Sequence, residues 1–321
     1  MRHLLTIVLP TYNRKSYLAQ TLALFEPQVR RNAEEVTFII SNNASDDGTA
    51  GFLEEMYSKY PFFEYRNFTD HVDVGVSISR TCDLAETEYV LMWGDDDYPF
   101  PYTVDVILDT IKSHPDVSLI HYNRLHGKDA GIGMRELSMQ QTIIGNGKEN
   151  RLSVKECIDK YILDMSFLTT NVFKRSYWVN NKELDCSLHY GYEFLGKILY
   201  GMEKDYAVYI VFPLCLQRLP ITRSWMQRSP LFRFIGIPNM YRDFQQWGLT
   251  DDAKSLWMRQ GNTISQFIAV LSQTSMYKSV YRPLFKEICS HQYTIGRKIV
   301  AFFFIYLCPG SLSKMIRRMM Y

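Results

Sequence analysis

Three carboxylates stand side by side at Asp95, Asp96 and Asp97, directly after the apolar run Tyr89-Val90-Leu91-Met92-Trp93-Gly94. Like charges in succession repel one another and are costly to desolvate, so they persist most easily where a divalent cation neutralises them. Hard carboxylate oxygens suit Mg²⁺ or Mn²⁺. A cation held by one or two carboxylates commonly carries a phosphate on its open side. The competing interpretation is a solvated acidic turn or helix cap ahead of Pro99 and Pro101.

The elements before the triplet decide between these. Leu4 to Leu9 is an apolar strand pattern, followed by the polar loop Pro10-Thr11-Tyr12-Asn13-Arg14 and a helical pattern from Tyr17 to Phe25. A second round follows, with Val36 to Ile40 as strand, Ser41 to Thr49 as polar loop and Gly51 to Tyr60 as helix. A third strand is expected at Phe62 to Tyr65, a helix from Val74 to Ala85, and a fourth strand ending in the triplet. Such alternation implies a parallel sheet with right-handed crossovers. Ligands of open α/β sheets bind at the carboxyl ends of the strands, near the topological switch point. Both polar loops and the triplet belong at that edge.

These three segments, Ile7 to Arg14, Ser41 to Thr49 and Trp93 to Asp97 followed by Pro101, resemble in order and spacing the signatures of family 2 glycosyltransferases. Within that family the likeness is to bacterial envelope-polysaccharide enzymes of the abequosyltransferase type, with Asp95 standing where they carry Ser. The stretch Phe167 to Arg175, ending at Trp178, resembles their mid-domain strand. The resemblance implies an α/β fold of the GT-A type: a Rossmann-like nucleotide-binding sheet continued into an acceptor-binding half, here with a helical C-terminal extension. It further implies that Pro10, Thr11, Tyr12 and Asn13 line the nucleotide, with Pro10 and Tyr12 at the base. Asn43 would hydrogen-bond the base, Arg80 would lie near the phosphates and Asp95 at the ribose. Asp96, with Asp97 in support, would hold the Mn²⁺ or Mg²⁺ that bridges the diphosphate. Asp47 is expected to cap the helix after it. At Asn43 an amide can donate as well as accept, which leaves the base open.

Glycosyl transfer also needs a base for the acceptor hydroxyl. The resemblance places it in His189-Tyr190-Gly191-Tyr192-Glu193, with Glu193 at the matching position, a helix continuing through Leu199, and Asp185 in reserve. The competing interpretation of Glu193 is a first-turn carboxylate favoured by the helix dipole. Two other functional classes stay open. A sugar-nucleotide pyrophosphorylase typically has a Gly-rich loop after its first strand, and Pro10 to Ser16 contains no glycine. A non-catalytic carbohydrate- or lipid-binding scaffold of the same fold is kept open by Asn42, Asn43 and the single Glu193.

At 321 residues and 46% hydrophobic, the chain can bury a large core. Residues 1–220 are expected to form the catalytic domain, with 1–110 binding the nucleotide sugar and 111–220 the acceptor, and 221–321 a helical region. A net charge of +2 gives no argument for nucleic acid. Six cysteines without CxxC spacing indicate reduced thiols, and Met1-Arg2-His3 leads into the first strand without a signal peptide. The expected location is therefore cytoplasmic. The segment Gly127 to Asn150, with four glycines after Gly127, suggests a mobile loop. Near the C-terminus Arg297-Lys298, the apolar run Ile299 to Cys308 and the basic stretch Lys314 to Arg318 fit an interfacial segment on an anionic membrane. The run is too short to span a bilayer, and a helix buried in the protein or in an oligomer contact is the alternative. The expected partners are thus a nucleotide-diphosphate sugar, a glycan acceptor on a polyprenyl-diphosphate lipid, the inner membrane leaflet and, at an apolar interface, a second copy of the chain.

Overall fold

The structure is a computed structural model that describes residues 3–128, 149–219, 229–259, 264–291 and 294–320. Most of the expected Gly-rich loop, and Trp225 of the helical pattern, lie outside the described residues. The chain forms two compact units, Met1–Leu184 with Lys197–Ile221, and Asp185–Gly196 with Thr222–Tyr321.

The first unit begins with β1 (Leu5–Thr11), α1 (Lys15–Arg31), β2 (Val36–Asn42), α2 (Thr49–Lys59), β3 (Glu64–Asn67), α3 (Val74–Cys82) and β4 (Tyr89–Met92). β5 (Tyr98–Pro99), α4 (Thr103–Ser113), β6 (Leu119–Lys128), β7 (Glu149–Ser153) and α5 (Val154–Met165) follow. A 3₁₀ turn at Leu168–Thr170 leads into β8 (Asn171–Lys174) and α6 (Arg175–Asn180). The chain passes between the units within α7 (Glu193–Leu199) and returns as β9 (Tyr206–Leu219).

The sheet has the order β3-β2-β1-β4-β8-β6-β9-β5, with β7 also on β9. Its first four strands are parallel, and β8 then enters antiparallel between β4 and β6. β1 pairs β2 on one side and β4 on the other, so strand order reverses there. That reversal is the switch point at which the loops after β1 and β4 open a crevice. The unbroken apolar runs of β1 and β4 reflect burial on both faces, with Leu5, Ile7, Val8, Leu9, Val90 and Leu91 all buried.

Two local differences from the sequence pattern have clear causes. Helix α1 was expected to stop before Pro27 and instead runs to Arg31 with Pro27 inside it. A proline there removes a backbone bond at roughly 3 kcal/mol, and burial of Leu18, Leu22, Phe25 and Val29 offsets it. Gln28, just beyond, accepts from the Val104 N–H at the start of α4. Strand β3 starts two residues later than expected, because Phe62 and Phe63 pack among Phe38 and Tyr57 ahead of the ladder from Ile39↔Glu64 to Asn42↔Asn67.

The second unit is helical. A continuous helix comprises α8 (Ser229–Leu231), a π-helical stretch (Phe232–Gly236) and α9 (Ile237–Gln246). Then come α10 (Ala253–Arg259), α11 (Ile264–Thr274), α12 (Lys278–Tyr281), α13 (Phe285–Ser290), α14 (Ile295–Phe302), a π-helical stretch (Phe303–Leu307) and α15 (Gly310–Met320). Phe234, Tyr241, Phe244, Leu256, Trp257, Phe267 and Leu271 are buried, as their spacing predicts for a core. Among the described residues no helix is long and apolar enough to cross a membrane. None of the six cysteines, all among the described residues, forms a disulfide.

Candidate functional site

The acidic triplet is not a solvated turn: Asp95, Asp96 and Asp97 are all buried at the end of β4. Helix α1 holds the turn from below, where Thr21 Oγ1 donates to the carbonyls of Asp95 at 3.0 Å and Asp97 at 3.2 Å. Trp93 Nε1 donates to the Asp97 carbonyl at 3.1 Å. On the other side Thr169 Oγ1 accepts from the Gly94 N–H at 3.0 Å and donates to Asp97 Oδ2 at 2.5 Å. Gly94 is required by space, since a Cβ there would stand 2.7 Å from Asp97 Oδ2 and 3.3 Å from Asp96 Oδ1.

Arg14 pairs with these charges directly, and Arg218 of β9 lies within their field. Arg14, at the end of the loop after β1, places one nitrogen, Nη1, 3.0 Å from Asp95 Oδ1 and 2.8 Å from Asp96 Oδ2. Burial works against its charge, but the two carboxylates outweigh that and raise its basicity. Thr11 Oγ1 donates to Asp95 Oδ2 at 2.8 Å. Burial nevertheless pushes the Asp95 carboxyl up to about 6, with Arg14 opposing and Asp96 adding to the rise. Arg218 of β9 is buried over the rings of Tyr98 at 3.9 Å and Tyr17 at 4.7 Å. Burial lowers its basicity, against the fields of Asp96, Tyr17, Asp97 and Asp95.

The donor set fits a hard divalent cation in one respect: oxygens of Asp95 and Asp96 converge on a single cationic point, now the Arg14 nitrogen. The converging pair is thus Asp95 with Asp96, where the resemblance implied Asp96 with Asp97 in support. Asp97 instead accepts from Thr169. Among the described residues no three His, Cys, Asp or Glu side chains are grouped to hold a metal.

The other predicted residues of the first unit surround this corner. Asn13 is left-handed (φ 53), a conformation that Asn tolerates, and its Oδ1 accepts from the Asp46 N–H at 2.9 Å while Ser45 Oγ accepts from its own N–H. Asp47 supports both neighbouring helices, accepting from Thr49 N–H at 3.1 Å and from Lys15 N–H at 2.9 Å. Tyr12 is partly exposed, with its ring 4.1 Å from that of His71. Pro10 pairs with Ser41 in the ladder.

Asn43 is hydrogen-bonded within the protein. Its Nδ2 donates to Val72 O at 2.9 Å and its Oδ1 accepts from Val72 N–H at 3.1 Å, so the amide is committed to one peptide unit of the loop after β3. Only an amide can do both, which is a reason for Asn rather than Asp at this position. Arg80 donates to the same Oδ1, stacks 3.7 Å over the Phe68 ring and approaches Asp70 Oδ2 at 3.4 Å.

The two base candidates, Glu193 and Asp185, belong to the second unit. Asp185 is exposed and its Oδ1 accepts from the Ser187 N–H at 2.9 Å, at the start of the 3₁₀ turn Ser187–His189. Hydrogen bonds from Ser187 hold its carboxyl below the ordinary carboxylate range. Glu193 opens α7, and its Oε2 is buried without a hydrogen-bond partner. Sequence reasoning singled out none of Arg14, Arg218, Thr21 and Thr169. Arg14 stands in the polar loop after the first strand and Thr169 in the Phe167 to Arg175 stretch, while Thr21 and Arg218 carried no signal. A separate cavity of about 500 Å³, lined by Glu86, Glu88, Lys174, Arg175 and neighbours, lies at the other end of β4.

The fold is that of the GT-A nucleotide-sugar enzymes. S. aureus TarS 1–349 in complex with UDP-GlcNAc superposes with a TM-score of 0.61 at 12% identity, covering 95% of this chain and 91% of that one. The mannosyltransferase PcManGT from Pyrobaculum calidifontis, in complex with GDP-Man and Mn²⁺, superposes at 0.53 and 12% identity, over 96% and 88% of the two chains. Residues 6–163, just under half of the chain, match the family model Glycosyl transferase family 2. Abequosyltransferase RfbV of Salmonella typhimurium is 28% identical over 117 residues, 36% of this chain and 35% of the relative. An uncharacterized glycosyltransferase of Haemophilus influenzae is 27% identical over 121 residues, 37% and 38% of the two. The matched stretch spans little more than a third of the length of these curated relatives.

Proposed function

We propose that this protein transfers a sugar from a nucleotide-diphosphate donor to a hydroxyl of a surface-glycan intermediate carried on a polyprenyl-diphosphate lipid. The observation that carries the reading is the convergence of Asp95 and Asp96 on one cationic point at the switch point of the sheet, beside the loop after β1. A Mn²⁺ or Mg²⁺ bound by this pair would offset the charge that develops on the departing diphosphate. Arg14 and Arg218 add positive field at the same corner. Tyr12 offers a ring face to the base, and Arg80 and Asn43 fix the loop beside it.

Glu193 is the base that takes the acceptor proton, and attack from the face opposite the diphosphate inverts the anomeric centre. Its buried, unpartnered Oε2 favours this reading over a merely structural carboxylate, because an incoming hydroxyl would supply the missing donor. The envelope-glycan acceptor is supported by the similarity to an abequosyltransferase, and work on a lipid-linked acceptor at the cytoplasmic leaflet agrees with the exposed apolar residues of α14 described below.

A panel of UDP-, GDP-, CDP- and dTDP-linked sugars incubated with Mn²⁺ or Mg²⁺ tests the assignment. Slow release of free sugar from one donor, abolished by EDTA, is the expected result. Exchange with pyrophosphate in place of hydrolysis would make the protein a pyrophosphorylase. Neither binding nor turnover of any donor would leave a scaffold of the same fold.

A further inference from the structure

The segment that carries Glu193 is gripped by a single helix of the second unit. Phe232, Gly236, Asn239, Asp243 and Trp247 recur at spacings of four, three, four and four, which puts them on one stripe. Each meets the segment from Leu188 to Tyr192. Asp243 Oδ2 lies 2.7 Å from His189 Nε2, and Asn239 Nδ2 donates to the Leu188 carbonyl at 3.3 Å. A Cβ at Gly236 would fall 2.2 Å from the His189 carbonyl oxygen, and one at Gly191 would fall 3.1 Å from the Phe232 ring. The Trp247 ring centroid is 6.2 Å from that of His189.

His189 is fully buried, and because a carboxylate only accepts, the ring proton sits on Nε2. Its Nδ1 has no hydrogen-bond partner, so the bond to Asp243 sets both tautomer and ring orientation. From His189 the chain reaches Glu193 in four residues through two left-handed ones, Tyr190 (φ 44) and Gly191 (φ 90). A tyrosine in that region costs on the order of 1 kcal/mol or more and persists only where its surroundings over-determine it.

We propose that this stripe, acting chiefly through the Asp243–His189 hydrogen bond, positions Glu193 for proton abstraction. His189 and Asp243 are positioning residues that act through the backbone of the segment, and the inference rests on Glu193 being the base. The test uses the full chain carrying Asp243→Ala, Asp243→Asn or Asn239→Ala, with two readouts: amide hydrogen exchange over residues 187–195, and hydrolysis of the nucleotide sugar selected by the panel above.

In Asp243→Ala, exchange in the segment should accelerate about ten-fold. The kcat should fall roughly 30- to 100-fold with donor KM within about two-fold, as expected when a base is displaced but the donor site is intact. Asp243→Asn keeps an accepting oxygen and should recover kcat to within about five-fold of wild type. Unchanged exchange in Asp243→Ala overturns the clamp, and so does faster exchange with wild-type kcat, which leaves the base assignment standing. Should Asp243→Ala not fold, Asn239→Ala decides: several-fold changes in both readouts are expected, and no change in either overturns the proposal. An active Glu193→Gln variant overturns the base assignment and the clamp's purpose together.

Discussion

Arg14 is the counter-charge that pairs with both Asp95 and Asp96. Replacing it with Ala leaves two buried carboxylates facing each other, and the stability lost in EDTA should be about 2–4 kcal/mol. Millimolar Mn²⁺ should restore part of it, read as a larger metal-induced rise in Tm for Arg14→Ala than for wild type. Asp96→Ala should reduce donor turnover by about 10³-fold or more with a near-native Tm, since it removes one of the two converging oxygens and leaves Arg14 paired with Asp95. Retained turnover would strike Asp96 from the site. His121 behaves differently: burial, opposed by Asp164 and aided by Arg124, pushes its pKa down to about 4. An unfolded histidine titrates near 6.5, so between about pH 6.5 and 4 the unfolded chain takes up a proton that the folded chain refuses. Stability is therefore complete above that window and declines as pH falls through it, by up to about 3 kcal/mol. His121→Phe should flatten this acid-side decline in Tm, with the remainder owed in part to His291, which burial also lowers to about 4.

Element by element, the site is built from the ends of parallel strands and the helix between them. Helix α1 does more than cover the sheet: Thr21 fastens the acidic turn, and Gln28 and Asn32 fasten the start of α4. The sequence pattern showed the apolar side of this helix but stopped it short, because local propensity at Pro27 carries no knowledge of the burial on either side. Pro27→Ala supplies the missing N–H, and thermal unfolding should report a gain of about 1 kcal/mol, smaller than the full helix penalty because the unfolded chain is also loosened. A fall in Tm would show instead that the bend at Pro27 is needed to seat Gln28. The strand ends were legible because both of their periods, apolar run and polar loop, are local. What they bond was not: Thr169 reaches the acidic turn from 72 positions beyond Asp97, and no spacing rule connects them.

For the whole molecule, the C-terminal helices separate what is packed from what is offered. In α14 and the π-helical stretch after it, Ala301, Phe304, Ile305 and Cys308 are buried, while Ile295 (78% exposed), Ile299 (63%) and Leu307 (60%) are open, with Phe302 and Phe303 beside them. No acidic residue occurs after Glu287. We propose that this face rests on an anionic leaflet. Ile295→Glu with Ile299→Glu should reduce co-sedimentation with phosphatidylglycerol vesicles about ten-fold or more without moving Tm, since neither side chain is packed. Equal sedimentation would point to a contact with another protein copy or to none.

The sequence by itself determined the parallel sheet, the edge at which its loops meet, and the acidic turn as the candidate site. Those follow from periodicity and from the cost of adjacent charges, both of which act between near neighbours in the chain. Only the tertiary structure decided that Arg14 and Arg218 attend the carboxylates, that Asn43 is committed to Val72, and that the Glu193 segment is held by a helix some 40 to 50 residues further on. Each of those depends on which side chains burial brings together, and hydrogen bonds, ion pairs and fields of that kind are selected by the packed fold rather than by position along the chain.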